Sequence, residues 1–168
     1  MYFEKQLNKQ CTLHAFNNLL QRSAIDISDV SFVVDEIMAD MLKRRKSVPT
    51  KQDLQNLRLS IFDCSGVDGI SPSVVFRIGK QMDPSLYFHV VDPNDVFTKG
   101  GKIKQGGRYY ITGVNKDGFN HTIAVVNKMV LDSQQNGPTP HLPSGYHIEN
   151  VFLVNNVPPR KMHDVIEL

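Results

Sequence analysis

Residues 108–132 read RYYITGVNKDGFNHTIAVVNKMVLD and contain the clearest fold signal in the chain. Two runs rich in β-branched and aromatic residues flank the turn-forming segment 115–118, which predicts a β-hairpin. A tight turn near Asn127 predicts that the chain returns as a further antiparallel strand. The predicted strands are 108–114, 121–126 and 128–131.

Four helices are predicted upstream of these strands. Apolar residues recur at helical spacing after Cys11 and again in a broad stripe further along. Thr50 followed by Asp53 resembles a capping box, and Ser71 followed by Pro72 is typical of an N-cap with proline at the first helical position. The predicted helices are 11–22, 28–42, 50–57 and 72–82.

The chain divides into two halves, one with predicted helices and one rich in residues typical of strands. Beyond Pro84, strands are also predicted at 86–91 and 151–154, and 92–107 is expected to be an exposed or mobile connection. Helices followed by an antiparallel sheet favour the α+β class over a wound parallel sheet. We therefore expect an N-terminal helical subdomain packed on a C-terminal antiparallel sheet, with a cleft between them.

Length and charge limit the possible function classes. With 168 residues, 40% hydrophobic and 21% charged, the chain is expected to form one globular domain. The 19 basic and 17 acidic residues give a formal net charge of +2. Since they are spread along the chain, neither nucleic acid nor a membrane surface is an expected partner. The basic run 43–46 closes a predicted helix, where cations complement the dipole; a polyanion site is the alternative.

The cysteine count and the N-terminal sequence indicate the compartment. Cys11 and Cys64 are too few for a disulfide scaffold, so a reducing compartment is expected. Residues 1–10 have no apolar run of the kind found in signal peptides, and no stretch has the length of a membrane span. The expectation is a soluble, cytoplasmic protein.

Cys11 is the candidate nucleophile. A thiolate is stabilised at a helix N-terminus by unsatisfied N–H groups and the helix dipole, and Cys11 is predicted to lie there. Taken alone, a single cysteine is more typical of a small buried apolar residue than of a nucleophile. The thiol therefore needs a histidine brought near it by the fold.

Among the six histidines, His121 is the best candidate for the general base. It opens a strand after the hairpin turn, and Asp132 returns to the same edge if the next turn is tight. His14 lies on the same helix as Cys11 and is interpreted as a structural histidine or a wall of the site. Gln6, five residues before Cys11, can supply an amide to a developing oxyanion. The order Gln6, Cys11, His121, Asp132 is the chain order of papain-like cysteine peptidases.

The segments FEKQ at 3–6 and CTLHAFNNLLQ at 11–21 resemble the Josephin deubiquitinases. The nucleophile segment of that family has the form Q-x4-C-x-x-H-x-x-N-N-L-L-Q. The resemblance continues through SGVDGISPSVVFRIGKQM at 65–82, and through NHTIAVV at 120–126 with MVLDSQ at 129–134. It includes residues without a catalytic role. They are Ala15, Asn17, Asn18, Leu19, Leu20 and Gln21.

The resemblance implies that residues 1–168 form a single Josephin-like cysteine peptidase domain. It implies Gln6 as the oxyanion donor, Cys11 as the nucleophile, His121 as the base and Asp132 as its orienting partner. The implied partners are ubiquitin or polyubiquitin conjugates, and the expected enzyme is a monomer that needs no cofactor. The chain carries Thr122 where the family usually has tryptophan, and the long helical arm of the family is not assigned from the sequence.

Three alternatives remain open at this stage. A processing cysteine protease of a virus or a bacterial effector would share the papain-like fold, and an effector would act in the host cytoplasm. A binding module for ubiquitin-like proteins would keep the fold without needing all four site residues. A zinc site built from Cys11, His14, Cys64 and another histidine is the third, although no second paired ligand motif is present.

Overall fold

The structure, a computed structural model, describes residues 1–5, 10–62 and 70–158, including all of their side chains except those of 59–62. Within these ranges the chain forms five helices and five strands. The helices are α1 (Cys11–Leu20), α2 (Ile27–Leu42), α3 (Lys51–Phe62), α4 (Pro72–Met82) and α5 (Pro93–Val96). The strands are β1 (Tyr87–Val91), β2 (Arg108–Val114), β3 (Asn120–Val126), β4 (Met129–Leu131) and β5 (His147–Asn155). The predicted α+β class, with helices first and an antiparallel sheet second, is confirmed.

The sheet has the strand order β1-β5-β2-β3-β4, and every neighbouring pair is antiparallel. The turn between β2 and β3 contains Gly118 at φ 82°. Between β3 and β4, Asn127 and Lys128 have φ values of 52° and 63°. Two consecutive left-handed residues are typical of a tight hairpin turn, so both predicted hairpins are confirmed.

Two parts of the sheet half differ from the prediction. β5 is longer than predicted and lies between β1 and β2 in the sheet. Most residues of the segment 92–107 are exposed, as predicted, but the segment also contains α5 and the bridge between Phe97 and Ile103. Val96, Phe97 and Ile103 are buried in an apolar cluster with residues of β2, β3 and β5. The apolar residues in this glycine-rich stretch fold it back onto the sheet.

α2 and α3 begin at capping boxes, whereas Ser71, the predicted N-cap of α4, makes no side-chain capping bond. Asp26 and Asp29 form a capping box at the start of α2. The helix begins at Ile27, one residue before its predicted start. The predicted box at Thr50 and Asp53 is confirmed by hydrogen bonds of 2.9 and 3.1 Å. α3 runs to Phe62 instead of residue 57. No helix within the described ranges is long and apolar enough to cross a membrane.

α2 and α3 form an antiparallel helical hairpin that was not assigned from the sequence. Arg58, in the second half of α3, pairs with Asp35 in the middle of α2. It also donates a hydrogen bond of 3.1 Å to Oγ of Ser31, in the first half of α2. Arg45, just after α2, pairs with Asp53 at the start of α3. α2 also packs on α4, so the hairpin is attached to the rest of the helical half.

α1 connects the helical half to the sheet. It packs against β3, and its side chains Phe16 and Leu19 are fully buried in the main apolar core. A Cβ atom at Gly79 of α4 would lie 2.7 Å from Phe16 Cζ, so glycine is needed for this close approach. The packing places the first turn of α1 beside β3.

Candidate active site

Cys11 is the first residue of α1 and is partly exposed. No acidic residue lies in the first turn, and the N-cap residue Gln10 makes no side-chain capping bond. The free N–H groups and the helix dipole therefore favour negative charge at the sulfur. The Thr122 backbone and the Thr12 side chain also lie close enough to the sulfur to lower the pKa of the thiol.

A buried tyrosine attaches this turn to the sheet. Tyr110 of β2 is fully buried, and its hydroxyl donates to the Thr12 carbonyl oxygen at 3.1 Å. Burial raises the pKa of the Tyr110 hydroxyl well above its ordinary value, so it stays protonated and remains a donor. The first turn of α1 is thus held to β2, the strand next to β3.

His121 and Asp132 form a buried pair. Nε2 of His121 lies 2.6 Å from Oδ1 of Asp132, and the Gln134 N–H donates to the same oxygen at 2.9 Å. The pairing of β3 with β4, in which Ala124 lies opposite Leu131, brings the two ends together. The tight turn at 127–128 therefore produces the pairing that the sequence predicts.

The pKa values of the thiol and the imidazole shift in opposite directions. Burial raises the pKa of the Cys11 thiol, but the adjacent His121 imidazole and its charge, together with the Thr122 backbone and the Thr12 side chain, lower it below its ordinary value overall. Burial lowers the pKa of His121, but the hydrogen bond to Asp132, the adjacent Cys11 sulfur and the charges of both raise it to about 9. A thiolate beside an imidazolium is therefore favoured near neutral pH.

Tyr146 holds the backbone of His121 from the other side. Its hydroxyl donates to the His121 carbonyl oxygen at 2.7 Å, and its ring lies edge-on to the imidazole at 6.3 Å between centroids. Gly113 makes room for it, because a Cβ there would lie 2.9 Å from Tyr146 Cζ and would overlap the His147 carbonyl oxygen. Burial raises the pKa of the Tyr146 hydroxyl, so it too remains a donor.

The structure brings together Cys11, His121 and Asp132 from the predicted set. Gln6 and Cys64 lie outside the described residues. His14 is buried, with Nδ1 3.2 Å from Oε1 of Glu4, and so belongs to the contacts of the N-terminal segment.

Sequence reasoning missed residues that support the site, among them Tyr110, Tyr146, Gly113 and Thr122, which acts through its backbone. Of these, only Gly113 had a usable signal, because a glycine inside a strand indicates a close approach by another group. Tyr146 follows a loop with three prolines and carries no sign of its contact with His121.

The three grouped side chains have the chemistry of an acyl-transfer site. The thiolate can attack a carbonyl carbon, the imidazolium can protonate a leaving group, and the carboxylate fixes the ring. Among the described residues no group of three His, Cys, Asp or Glu side chains could hold a metal ion. Cys64, named for the alternative zinc site, is outside those residues.

A scan against protein-family models finds no match for the chain, and a search of curated proteins finds none either. Function is therefore inferred from the residues of the site and from the sequence motif that contains them.

Proposed function

We propose that the chain is a papain-like cysteine peptidase that cleaves isopeptide or peptide bonds at the C-terminus of ubiquitin. The observation that carries the proposal is the buried His121–Asp132 pair beside Cys11 at the start of a helix. Burying an imidazole and a carboxylate together is costly unless both are well paired. Here the buried pair lies next to a partly exposed thiol, and such an arrangement of ionisable groups is typical of an active site.

In the proposed reaction the Cys11 thiolate attacks the carbonyl carbon of the last ubiquitin glycine. A C–S bond forms, and the negative charge moves to the carbonyl oxygen, where the Cys11 N–H and the Gln6 side chain donate hydrogen bonds. His121 gives its proton to the leaving amine as the C–N bond breaks. Water then attacks the thioester carbonyl carbon while His121 accepts a proton from it. The C–S bond breaks, the ubiquitin carboxylate leaves, and the Cys11 thiolate beside the imidazolium is regenerated.

Ubiquitin is proposed as the substrate on the strength of the Josephin-like motif at 11–21. Its two asparagines and its glutamine have defined structural roles. Asn17 accepts from the N–H groups of Ala24 and Ile25 at 3.1 and 2.9 Å, while Asn18 and Gln21 bond the N-terminal segment. A reactive free thiol suits a reducing compartment, so the enzyme is proposed to act in the cytoplasm. It is also proposed to be a monomer.

A ubiquitin probe with a C-terminal electrophile tests the proposal. We expect it to attach covalently to Cys11, as a mass increase of one ubiquitin located by peptide mapping. Cys11→Ala should abolish labelling. The chain has two cysteines, so Cys64→Ala is the matched control and should label like the wild type.

Other outcomes separate the alternative functions. Hydrolysis of plain peptides without probe labelling would favour a processing protease. Stable ubiquitin binding with neither labelling nor hydrolysis would favour a binding module. Either result would overturn ubiquitin cleavage as the function.

A further inference from the structure

The turn between β2 and β3 carries an exposed aromatic residue beside the active site. Phe119 is 58% exposed and lies two residues before His121. The Asn115 N–H donates to the Phe119 carbonyl oxygen at 2.8 Å. This pair continues the register of β2 and β3, in which Val114 lies opposite Asn120. Because side chains alternate along a strand, Phe119 is on the same face of the sheet as His121, with Cα atoms about 7 Å apart.

The backbone of this turn is fixed by its own hydrogen bonds. Asn115 Oδ1 accepts from the Phe119 N–H at 3.0 Å, so both backbone groups of Phe119 are bonded to Asn115. Gly118 has φ 82°, and its N–H donates to the Asn115 carbonyl oxygen at 3.0 Å. The turn also packs on the loop before β5, since a Cβ at Gly145 would lie 2.8 Å from Cβ of Lys116. Phe119 is therefore held in place while its ring stays exposed.

One nitrogen of His121 is left for the reaction. Nε2 is paired with Asp132, whereas Nδ1 is buried and has no hydrogen-bond partner among the described residues. Nδ1 is therefore the nitrogen that serves the thiol and protonates the leaving amine in the proposed reaction. Along β3, residue 121 is buried but residues 116–120 are exposed, and Phe119 has the one large apolar side chain among those five. A leaving group that extends from Nδ1 along this surface meets the ring of Phe119.

We propose that Phe119 is a specificity-determining residue that packs against the apolar stem of a lysine side chain on the leaving-group side of the scissile bond. The inference rests on the proposed function and deepens it by naming the amine that leaves. The nitrogen of an isopeptide bond is attached to four methylene groups, and lysine commonly lays this stem along an apolar surface. Phe119 therefore favours isopeptide bonds of lysine over amides of short amines.

Transfer of an acyl group to added amines tests this contact. p-Nitrophenyl acetate acylates Cys11, as a C–S bond forms and nitrophenolate leaves. The nitrogen of an added amine then attacks the carbonyl carbon, His121 accepts the proton of the amine, and the C–S bond breaks. The products are an N-acetylated amine and the thiolate beside the imidazolium. Because this step is the reverse of amine departure, the amine occupies the leaving-group side of the site.

Two amines compete in one reaction mixture. One is Nα-acetyl-lysine methylamide, and the other is its homologue with a single side-chain methylene. Both acetylated products form from the same acyl-enzyme, so their ratio, measured by mass spectrometry, does not depend on the folded fraction. A displaced His121 would slow both products alike, whereas a lost contact with the stem lowers only the lysine product. Cys11→Ala gives the uncatalysed background, which is subtracted.

We expect the wild type to favour the lysine amine, and Phe119→Ala to lower the ratio of lysine product to short product about fivefold. Phe119→Leu keeps an apolar side chain and should restore most of the preference. Phe32→Ala is the matched control, because Phe32 is 66% exposed on α2, which packs on α3 and α4. It should keep the wild-type ratio.

The outcomes distinguish this inference from the proposed function. Equal product ratios in Phe119→Ala and the wild type would overturn the contact with the stem alone. The same conclusion would follow if the wild type released nitrophenolate but transferred the acetyl group only to water. Failure of Cys11 to form an acyl-enzyme would overturn the proposed acyl transfer and the role of Phe119 together. Failure of the ubiquitin probe with the expected product ratios would remove ubiquitin and leave the role of Phe119 established.

Discussion

His121 Nε2 lies 2.6 Å from Asp132 Oδ1, and the two side chains are only 2% and 3% exposed. Because water is excluded, the charge of Asp132 acts on the imidazole with little screening. The pair therefore sets the protonation state of the site, and the first two predictions depend on it.

The pH dependence of amide hydrolysis should follow His121. Its folded pKa of about 9 is above the ordinary value of 6.5, so the imidazolium is present at neutral pH and is lost as the pH rises through about 9. Since the imidazolium protonates the leaving amine, turnover of a fluorogenic ubiquitin amide should fall over that range. The Cys11 thiol and the His121 imidazole titrate together, so the apparent pKa values read from the pH profile belong to the pair.

Asp132→Asn tests the cause of that shift. Losing the carboxylate charge should lower the pKa of His121, move the falling limb to lower pH and reduce turnover at neutral pH by roughly 10²-fold. The measurement is the pH profile of turnover for both proteins. A falling limb that stays near pH 9 in the variant would show that Asp132 does not set the imidazole pKa.

His121→Ala should make the thiol less reactive at neutral pH. Without the imidazolium, burial dominates and raises the pKa of Cys11. The rate of iodoacetamide alkylation at pH 7 should fall about tenfold or more and recover at higher pH. His141→Ala, at an exposed histidine, is the control and should keep the wild-type profile. Equal profiles for all three proteins would contradict thiolate stabilisation by His121.

Tyr146→Phe should weaken catalysis through the position of His121. The variant loses the bond to the His121 carbonyl oxygen, so the ring is held less firmly against Asp132 and its pKa falls. We expect about tenfold lower amide turnover and a falling limb at lower pH.

Tyr109→Phe is the matched control for Tyr146→Phe. Tyr109 donates to the Gly106 carbonyl oxygen at 3.0 Å, so the substitution removes the same kind of bond, worth about 1 kcal/mol, elsewhere on the sheet. It should change the melting temperature without moving the pH profile. If both variants have the wild-type profile, Tyr146 has no positioning role.

Gly113→Ala should destabilise the protein. The new methyl group would overlap the His147 carbonyl oxygen and press on Tyr146, and a backbone atom has little freedom to move. Overpacking of this kind costs about 1–3 kcal/mol, measurable by urea denaturation. Gly106→Ala meets no atom within 4 Å and should change the unfolding free energy by less than about 0.5 kcal/mol. Similar midpoints for the two variants would contradict the close packing at Gly113.

Local signals predicted much of this fold correctly, together with the contact between His121 and Asp132. The turn near Asn127 was enough to bring Asp132 back to His121, because the two residues are only 11 positions apart. Cys11 was placed at a helix start from the apolar spacing that follows it. In both cases the deciding interactions lie within a few residues in sequence.

The features that were missed depend on distant contacts. No local pattern predicts that β5 lies between β1 and β2 in the sheet, because the order of strands is set by long-range pairing. The predicted helix ended at residue 57, whereas α3 continues to Phe62. Contacts of Arg58 with α2 support the helix there. Asn18 and Gln21 were recognised in a motif, but their bonds to Glu4 and Tyr2 needed the fold.

The bond from Tyr110 to Thr12 joins residues 98 positions apart, whereas His121 and Asp132 belong to one short hairpin. Hairpins close within microseconds, and closing a long loop carries a larger entropic cost. The His121–Asp132 pair can therefore assemble before α1 docks on the sheet. Because the charge of His121 reaches Cys11 only after that docking, we expect the thiol to become reactive late in folding.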